Sequence, residues 1–412
     1  MNKNHRHGFL AAAGGIALTL CGLAGAGTAG AAQGAVRLPG PGAALPAGFV
    51  PAAASLLTPA RGFVLGGVGC RAGHPCRARL AATTDSGDHW HFLTAPDVPT
   101  DPPNTQAGAV TRVLFATART GWLYGPELWS THDGGSHWRK LSLGGPVESM
   151  ATAGGRVYAV ITLAGGQRSG LYASPAGRNA WTRVGHVTVK PFTGLAVSGT
   201  AAWLTGSTRV WATGDGTRWH RYPVRCPAPY NRDGVGGLAA ASPSQVYFLC
   251  LSDAGAGSQP KAMLYSADGG KTDHLTGIAP ELGTGIDALA VPPGRTSVIT
   301  MGTEFALDRS ADGGKTWKEI LNYGGGVMWG SLSFASRTAG WAIVTSGSRQ
   351  LLRTTDAGRT WHQVRFTSPA HPVTAYVNHD DSGPATPIRT ATNTALKPIK
   401  AGRSAAAIAI TP

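Results

Sequence analysis

Residues 310–317 read Ser-Ala-Asp-Gly-Gly-Lys-Thr-Trp, and the pattern Ser/Thr-x-Asp-x-Gly-x-Thr-Trp returns along the chain at nearly even intervals. Asp312 can accept hydrogen bonds from backbone N–H groups one to two residues on and so close an Asx-type turn. Gly314 supplies a backbone conformation that other residues reach only with strain. Thr316 and Trp317 are expected to begin a strand, with the indole covering a neighbouring element. Each copy therefore predicts a hairpin.

The copies divide the chain into seven units of similar length. Copies with both Asp and Gly span residues 83–90, 131–138, 266–273 (with the Trp replaced), 310–317 and 354–361. Two degraded copies span 174–181, which lacks the Asp, and 213–219, which is one residue short. The aspartates that we expect to build turns are Asp85, Asp133, Asp215, Asp268, Asp312 and Asp356.

The interior of each unit predicts four strands. An apolar segment ending at Phe115 precedes Gly121-Trp122, and one ending at Phe334 precedes Gly340-Trp341 with the same spacing. The apolar segment is expected to form the first strand, and the segment that begins at Gly-Trp the second. A third strand leads into the repeated pattern, and a fourth begins at its Trp. Short strands with Gly-rich turns at this period are typical of propellers. The predicted fold class is all-β, a seven-bladed β-propeller of four-stranded antiparallel blades.

The repeated pattern resembles the Asp-box, or BNR, repeat. Over roughly residues 49–366 the arrangement resembles the seven-bladed propellers of sialidase-like and photosystem-assembly-factor-like BNR proteins. Because that family includes sialidases, xyloglucanases, sorting receptors and assembly factors, the resemblance is specific for fold and only weakly specific for function. It implies that the box forms the turn between the third and fourth strands, on the face away from the usual binding site.

The sialidases of this family need three arginines around the substrate carboxylate, a Tyr-Glu pair as the nucleophile and an Asp that acts as the acid. The one near match to their first arginine motif is Arg37-Leu38-Pro39, within a stretch of Pro, Gly and Ala. Such sialidases usually have six blades. We therefore interpret the match as a coincidence.

The N-terminal segment has the order of a secretory signal. Lys3 and Arg6 precede an apolar run over residues 8–23, and small residues follow up to an expected cleavage after Ala31 or Ala32. The run is too short for a membrane span. We expect a signal peptide at 1–31, a flexible segment at 32–48, the propeller at 49–368, and secretion of the chain.

The C-terminal segment, 369–412, differs in sequence pattern from the seven units before it. Residues 374–378 read Thr-Ala-Tyr-Val-Asn, and the segment resembles one unit of the YVTN propeller repeat. A lone repeat cannot bury both of its faces. We expect either a YVTN-like unit or a poorly ordered tail.

The chain is basic, with 36 Lys and Arg against 21 Asp and Glu and a formal net charge of +15. Cleavage of the signal removes two of the positive charges and no negative charge. This balance favours anionic extracellular surfaces. Basic runs interleaved with aromatics are missing from the sequence, which argues against nucleic acid as a partner.

Four cysteines follow the predicted signal, and an even count in an exported chain indicates disulfides. Three pairings are possible, of which we favour Cys70 with Cys76 and Cys226 with Cys250, because each pair flanks one local loop. A single His74 between the first two is a poor zinc signal. We expect no metal and no cofactor.

The long connections between units hold the candidate ligand-binding residues. They are Tyr230, Arg232, Asp233, Asp253 and Trp329, although Trp329 can equally pack between blades and Tyr230 can cover a disulfide. The sequence thus favours a secreted, monomeric, non-enzymatic propeller that binds a protein or polysaccharide at the cell surface. The alternative is a glycoside hydrolase using loop carboxylates such as Asp97, Asp101, Asp233 and Asp253. Two carboxylates across a groove lined by aromatics would favour the enzyme.

Overall fold

The computed structural model describes residues 48–68, 70, 76–100, 108–190, 192, 194–284, 288–345 and 349–366, and the backbone of three short strands between 374 and 395. The predicted signal peptide, the Arg37-Leu38-Pro39 motif, His74 and Asp101 lie outside these residues.

Seven four-stranded antiparallel sheets follow one another along the described chain, which confirms the predicted seven-bladed propeller. Blade 1 contains β1 (Val50–Leu56), β2 (Gly62–Val68), β3 (Arg77–Thr83) and β4 (His91–Leu93), and blade 2 contains β5 (Arg112–Phe115), β6 (Gly121–Tyr124), β7 (Leu128–Thr131) and β8 (Arg139–Leu141). Blade 3 contains β9 (Val147–Ala153), β10 (Arg156–Thr162), β11 (Ser169–Pro175) and β12 (Thr182–Val189), and blade 4 contains β13 (Gly194–Ser198), β14 (Ala201–Gly206), β15 (Arg209–Thr213) and β16 (His220–Pro223).

Blade 5 contains β17 (Gly234–Ala240), β18 (Val246–Leu251), β19 (Lys261–Ser266) and β20 (His274–Ala279), and blade 6 contains β21 (Ala288–Ala290), β22 (Ile299–Gly302), β23 (Ala306–Ser310) and β24 (Lys318–Asn322). Blade 7 contains β25 (Trp329–Phe334), β26 (Gly340–Val344), β27 (Gln350–Thr354) and β28 (His362–Val364). A separate three-stranded sheet follows, with β29 (Thr374–Val377), β30 (Thr386–Arg389) and β31 (Thr394–Ala395). Apart from the backbone of these three strands, residues 369–412 lie outside the described residues, so the predictions about this segment stay predictions.

The first strand of each blade lies innermost, and first strands of most neighbouring blades contact one another, including β25 with β1 at the ring closure. Within the described residues, seven hydrophobic clusters form the core, one at each junction between neighbouring blades. Middle strands such as β10 and β26 are almost wholly buried, whereas outer strands such as β8 and β16 are largely exposed. Burial thus falls from the middle of each blade to its outer edge.

The box turn is built by two side chains. The Ser310 hydroxyl donates to Asp312 (2.8 Å) and accepts from the Gly314 amide (2.8 Å), while the Asp312 carboxylate accepts from the Thr316 amide (2.9 Å) and hydroxyl (2.6 Å). These bonds from Thr316 lower the pKa of Asp312 to about 2. The other four complete boxes repeat the hydroxyl-to-carboxylate bond and the glycine amide bond.

Two details of the predicted hairpin are wrong. Asp312 accepts hydrogen bonds from four residues on, not one to two, because Gly313 and Gly314 both adopt positive φ (78° and 91°) and curl the chain back. The strand also begins at Lys318 rather than at Thr316, whose amide and hydroxyl are committed to the turn.

The box tryptophans pack against the preceding blade. At the closure of the ring, Trp90 is buried against Trp341 of blade 7. Blade 5 is the exception, because Asp273 stands at the tryptophan position. A cavity of about 340 Å³ lies nearby between blades 4 and 5, bordered by Trp203 and Tyr222. The same junction is crossed by a disulfide between Cys226, which follows β16, and Cys250 in β18.

Candidate ligand-binding site

The strand order assigns each connection to one of two faces. Because the chain reverses at every strand, the starts of first strands, the turns between second and third strands and the ends of fourth strands share one face. We call this the front face. The boxes, between third and fourth strands, lie on the opposite face, which we call the box face.

A cavity of about 930 Å³ opens on the front face. Its lining comes from blades 2, 3 and 7, and includes the first-strand residues Arg112, Val147 and Trp329. Since blade 1 separates blades 7 and 2 along the ring, a cavity lined by both spans the mouth of the central opening. Clefts of this size accommodate drug-sized ligands or short chain segments.

One wall of the cavity carries an ion pair. Glu127 lies in the turn between β6 and β7 and accepts hydrogen bonds from Lys140 Nζ (2.5 Å) and Trp129 Nε1 (2.8 Å). The Glu127 side chain is 15% exposed and that of Lys140 is 57% exposed. The carboxylate is therefore fixed, while the ammonium still faces solvent.

A second carboxylate lines the same cavity. Glu148, near the start of β9, accepts hydrogen bonds from the hydroxyls of Thr162 (2.5 Å) and Ser169 (2.8 Å). Arg112 of blade 2 also lines the cavity and forms no ion pair within the part of the chain that the structure describes. The cavity therefore presents both signs of charge.

The remaining lining is largely aliphatic. Met328 is 44% exposed at the edge of the cavity, and Leu141 and Leu143 lie on the blade 2 side. Trp329, the aromatic residue among the lining side chains, is buried, and its Nε1 donates to the carbonyl oxygen of Thr303 in blade 6 (2.9 Å). Its ring is thus held between blades 6 and 7 and presents little surface to a ligand.

The other candidate residues lie elsewhere on the front face, in the connections around blade 5. Arg232 donates to Asp253 (2.7 Å) in an exposed ion pair, and Asp233 accepts from Gln259 Nε2 (2.9 Å). Tyr230 packs against the hydrophobic cluster that contains the Cys226–Cys250 disulfide. The structure therefore brings Arg232 and Asp253 together and places Trp329 alone at the large cavity. A ligand-binding role for these residues stays a prediction.

Glu127, Glu148, Arg112 and Lys140 are cavity residues that the sequence pattern did not single out. Arg112 and Glu148 lie at or near the starts of first strands and Glu127 lies in a second turn, which are front-face positions, while Lys140 lies in the fourth strand β8, one residue before its front end. Once four strands are assigned to each blade, the sequence can be searched for charged residues at these positions. The sequence does not say that blades 2, 3 and 7 contribute to one cavity.

The structure contains both favoured disulfides, Cys70–Cys76 and Cys226–Cys250. Disulfides indicate an oxidising compartment. In the described residues, no cluster of three or more His, Cys, Asp or Glu side chains is arranged to hold a metal ion. The same residues include no helix long and apolar enough to cross a membrane.

Comparison with known proteins gives matches in structure alone. No protein-family model matches the chain, and no curated protein matches it. The chain is similar to YCF48 from Cyanidioschyzon merolae, with a TM-score of 0.51, 16% identity and coverage of 76% of this chain and 97% of that chain.

YCF48 bound to a D1 peptide is similar too, with a TM-score of 0.50, 16% identity and coverage of 76% of this chain and 95% of that chain. An ancestral GH74 enzyme has a TM-score of 0.51 and 12% identity, over 84% of this chain and 49% of that chain. This chain thus spans about half the length of that enzyme. At such identities the similarity establishes the propeller fold.

Proposed function

We propose that this chain is an exported, non-enzymatic propeller that binds a segment of an extracellular protein in the front-face cavity. The cavity itself is the observation that carries the proposal. It combines about 930 Å³ of space with exposed aliphatic surface and charged groups of both signs on a rigid ring. Met328, exposed at its edge, is the type of side chain that adapts to varied apolar partners.

The lining favours a peptide over a polysaccharide. Sugar rings bind well to the open faces of aromatic side chains, and Trp329, the aromatic residue of the lining, is buried between blades. A peptide needs aliphatic contacts and polar anchors instead, which Leu141, Lys140 and Arg112 offer. The existence of a similar propeller, YCF48, with a bound D1 peptide supports this class of ligand.

Export is part of the proposal and rests on two features. The first 31 residues have the charged, apolar, small-residue order of a secretory signal. The two disulfides require an oxidising compartment to persist. Together they favour a place outside the cytosol, where a basic protein meets anionic surfaces.

A glycoside hydrolase is the second candidate, and one observation favours it. Glu127 and Glu148 are two carboxylates that line a single cavity, as such hydrolysis requires. Against it, Glu127 is held in an ion pair with Lys140, and Glu148 already accepts two hydroxyl hydrogen bonds. Those partners suit binding better than proton donation to a leaving group.

A display selection from a random peptide library on the purified protein tests the proposal. Met328→Lys places a charge in the cavity edge, and Leu275→Lys, at a residue 48% exposed on β20, is the matched control outside it. Peptides selected on the unmodified protein should bind the Met328→Lys variant at least about tenfold more weakly and the control unchanged. Equal binding to all three proteins would exclude the cavity.

A hydrolysis screen against a panel of polysaccharides separates the second candidate from the first. The proposal predicts no product above background. Product formation that disappears in Glu127→Gln or Glu148→Gln would establish the hydrolase instead.

A further inference from the structure

Blades 3 and 4 form a basic sector of the ring. Residues 147–223 contain two acids, Glu148 and Asp215, against eight basic residues, namely Arg156, Arg168, Arg178, Arg183, Lys190, Arg209, Arg218 and Arg221. Blade 5, at 234–279, instead has three acids and two lysines. Blades 3 and 4 together therefore carry an excess of six positive charges.

Part of this charge surrounds a narrow groove between the outer strands of the two blades, with a volume of about 110 Å³. Arg209 and Trp211 are two residues apart on β15, and Arg221 of β16 is paired with Trp211, so the three side chains lie on one face of the sheet. Trp211 Nε1 donates across to the Thr188 carbonyl oxygen of blade 3 (3.2 Å). That face is therefore turned toward blade 3, where Lys190 completes the lining.

The charges in the groove are not compensated by the protein. Lys190, Arg209 and Arg221 form no ion pair within the described residues, and the groove lining includes no acid. The two acids of blades 3 and 4 are committed elsewhere, because Glu148 lines the large cavity and Asp215 closes a turn on the box face. Asp233, which follows blade 4, accepts a hydrogen bond from Gln259. A bound anion would relieve the mutual repulsion of the three cations.

The aromatic residue in the groove is partly covered by two neighbouring side chains. The Arg221 guanidinium lies 5.6 Å from the centre of the Trp211 ring, and the His186 ring contacts it edge-on at 5.2 Å. Arg221 and His186 thus take up part of the ring surface that a sugar ring or a nucleobase would need for stacking. Charge and hydrogen bonds are therefore the main means of recognition that the groove offers.

We propose that the groove binds a phosphate or sulfate ester group carried by an extended anionic polymer. Its volume suits a few water molecules or one tetrahedral oxyanion. Arginine guanidinium groups match the oxygen geometry of such groups, and the hydroxyls of Ser207 and Thr208 supply further donors. The surplus charge of the whole sector favours a polymer over an isolated ion. The site is independent of the front-face cavity and of its proposed ligand.

The test compares two variants of equal charge. Arg209→Gln/Arg221→Gln removes two charges from the groove, and Arg178→Gln/Arg218→Gln removes two exposed charges from the box face of the same blades. Binding is measured with long-chain inorganic polyphosphate, heparin and polyglutamate as probes. The groove variant should bind polyphosphate or heparin at least about tenfold more weakly, and the control less than about twofold. The tighter of those two probes distinguishes a phosphate group from a sulfate group.

A second measurement on the unmodified protein does not depend on variants. The indole N–H resonance of Trp211, assigned with Trp211→Phe, should shift on titration with inorganic phosphate or sulfate. Equal weakening by both double variants, polyglutamate binding as tight as the binding of polyphosphate or heparin, or an unmoved Trp211 resonance would each overturn the proposal.

Discussion

Asp88 and Arg353, 265 positions apart in the sequence, join the first and last blades of the ring. Arg353 Nη1 donates to Asp88 Oδ1 (3.0 Å) and to the Ser86 carbonyl oxygen (2.9 Å). A third contact, from the Ala54 amide to the Ser331 hydroxyl (3.1 Å), crosses the same junction. The propeller is therefore closed by side chains between blades, since every blade contains four strands that follow one another in sequence.

Replacing Arg353 by Ala should lower the free energy of unfolding by about 1 to 2 kcal/mol. The change removes two charge-assisted hydrogen bonds from a side chain that is 31% exposed. Arg77→Ala is the control, because its ion pair with Asp97 is well exposed and should contribute less than about 1 kcal/mol. Chemical denaturation measures both. Equal losses of stability in the two variants would mean that the hydrogen bonds of Arg353 stabilise the ring closure no more than an exposed ion pair does.

Replacing Asp312 by Ala should also destabilise the fold by about 1 to 2 kcal/mol, because the Thr316 amide and hydroxyl lose their acceptor. Ligand binding should be unchanged, since the box lies on the face opposite the cavity. Asp97→Ala provides a loop control. A variant of normal stability that no longer binds ligand would contradict the structural role of the box.

Asp308 predicts a pH dependence of stability. Burial, followed by the charge of Glu319 opposite it on β24, raises the pKa of Asp308 to about 6, and Lys261 opposes the shift. The folded chain then holds a proton that the unfolded chain releases near pH 4, so stability falls as pH rises from about 4 through 6. The loss should reach about 2 to 3 kcal/mol.

Asp308→Asn tests this dependence, because the amide keeps the shape and has no charge to bury. Thermal unfolding of the variant should match the parent near pH 4 and exceed it at pH 7.5. Asp97→Asn, at an exposed site, should leave the pH profile unchanged. An Asp308→Asn variant less stable than the parent at pH 7.5 would mean that the ionised carboxylate is favourable in the fold.

Truncation after Ser368 should leave a folded, monomeric propeller. The 28 blade strands of the described chain lie between Val50 and Val364, and the described contacts at the ring closure, including those of Phe49 and Phe366, all lie before Ser368. The melting temperature should change by only a few degrees, as expected for a loss of about 1 kcal/mol or less. Calorimetry and light scattering on the truncated chain check this. Aggregation would show that the C-terminal segment contributes to ring closure.

Removing the Cys226–Cys250 disulfide with a double Ala variant should cost about 3 kcal/mol, because it frees a loop of more than twenty residues. The Cys70–Cys76 bond closes a loop of six and should cost less. Peptide mapping under non-reducing conditions should show both pairs without exchange between them. A bond linking the two pairs would contradict the blade boundaries.

The sequence predicts the blades well because local chemistry repeats. Each Asp-box needs its hydroxyl, carboxylate and glycine within a few residues, so its spacing marks the end of every third strand. The cavity depends on long-range closure instead: Glu127, Glu148 and Met328 belong to three blades, and nothing local indicates that they share one opening. Trp329 is a residue type that often binds ligands, yet here it is buried between two blades and packs in the core.

The disulfide between blades 4 and 5 crosses the junction where Asp273 replaces the usual box tryptophan and a cavity remains. The disulfide thus adds a covalent bond at the junction that lacks a box tryptophan. Recombinant material made in a reducing cytosol would have the same sequence and fold, but this joint would depend on noncovalent contacts alone. Without the disulfide, the connection between blades 4 and 5 should be cut by proteases faster than in the oxidised protein, so the choice of production host affects how durable the purified protein is.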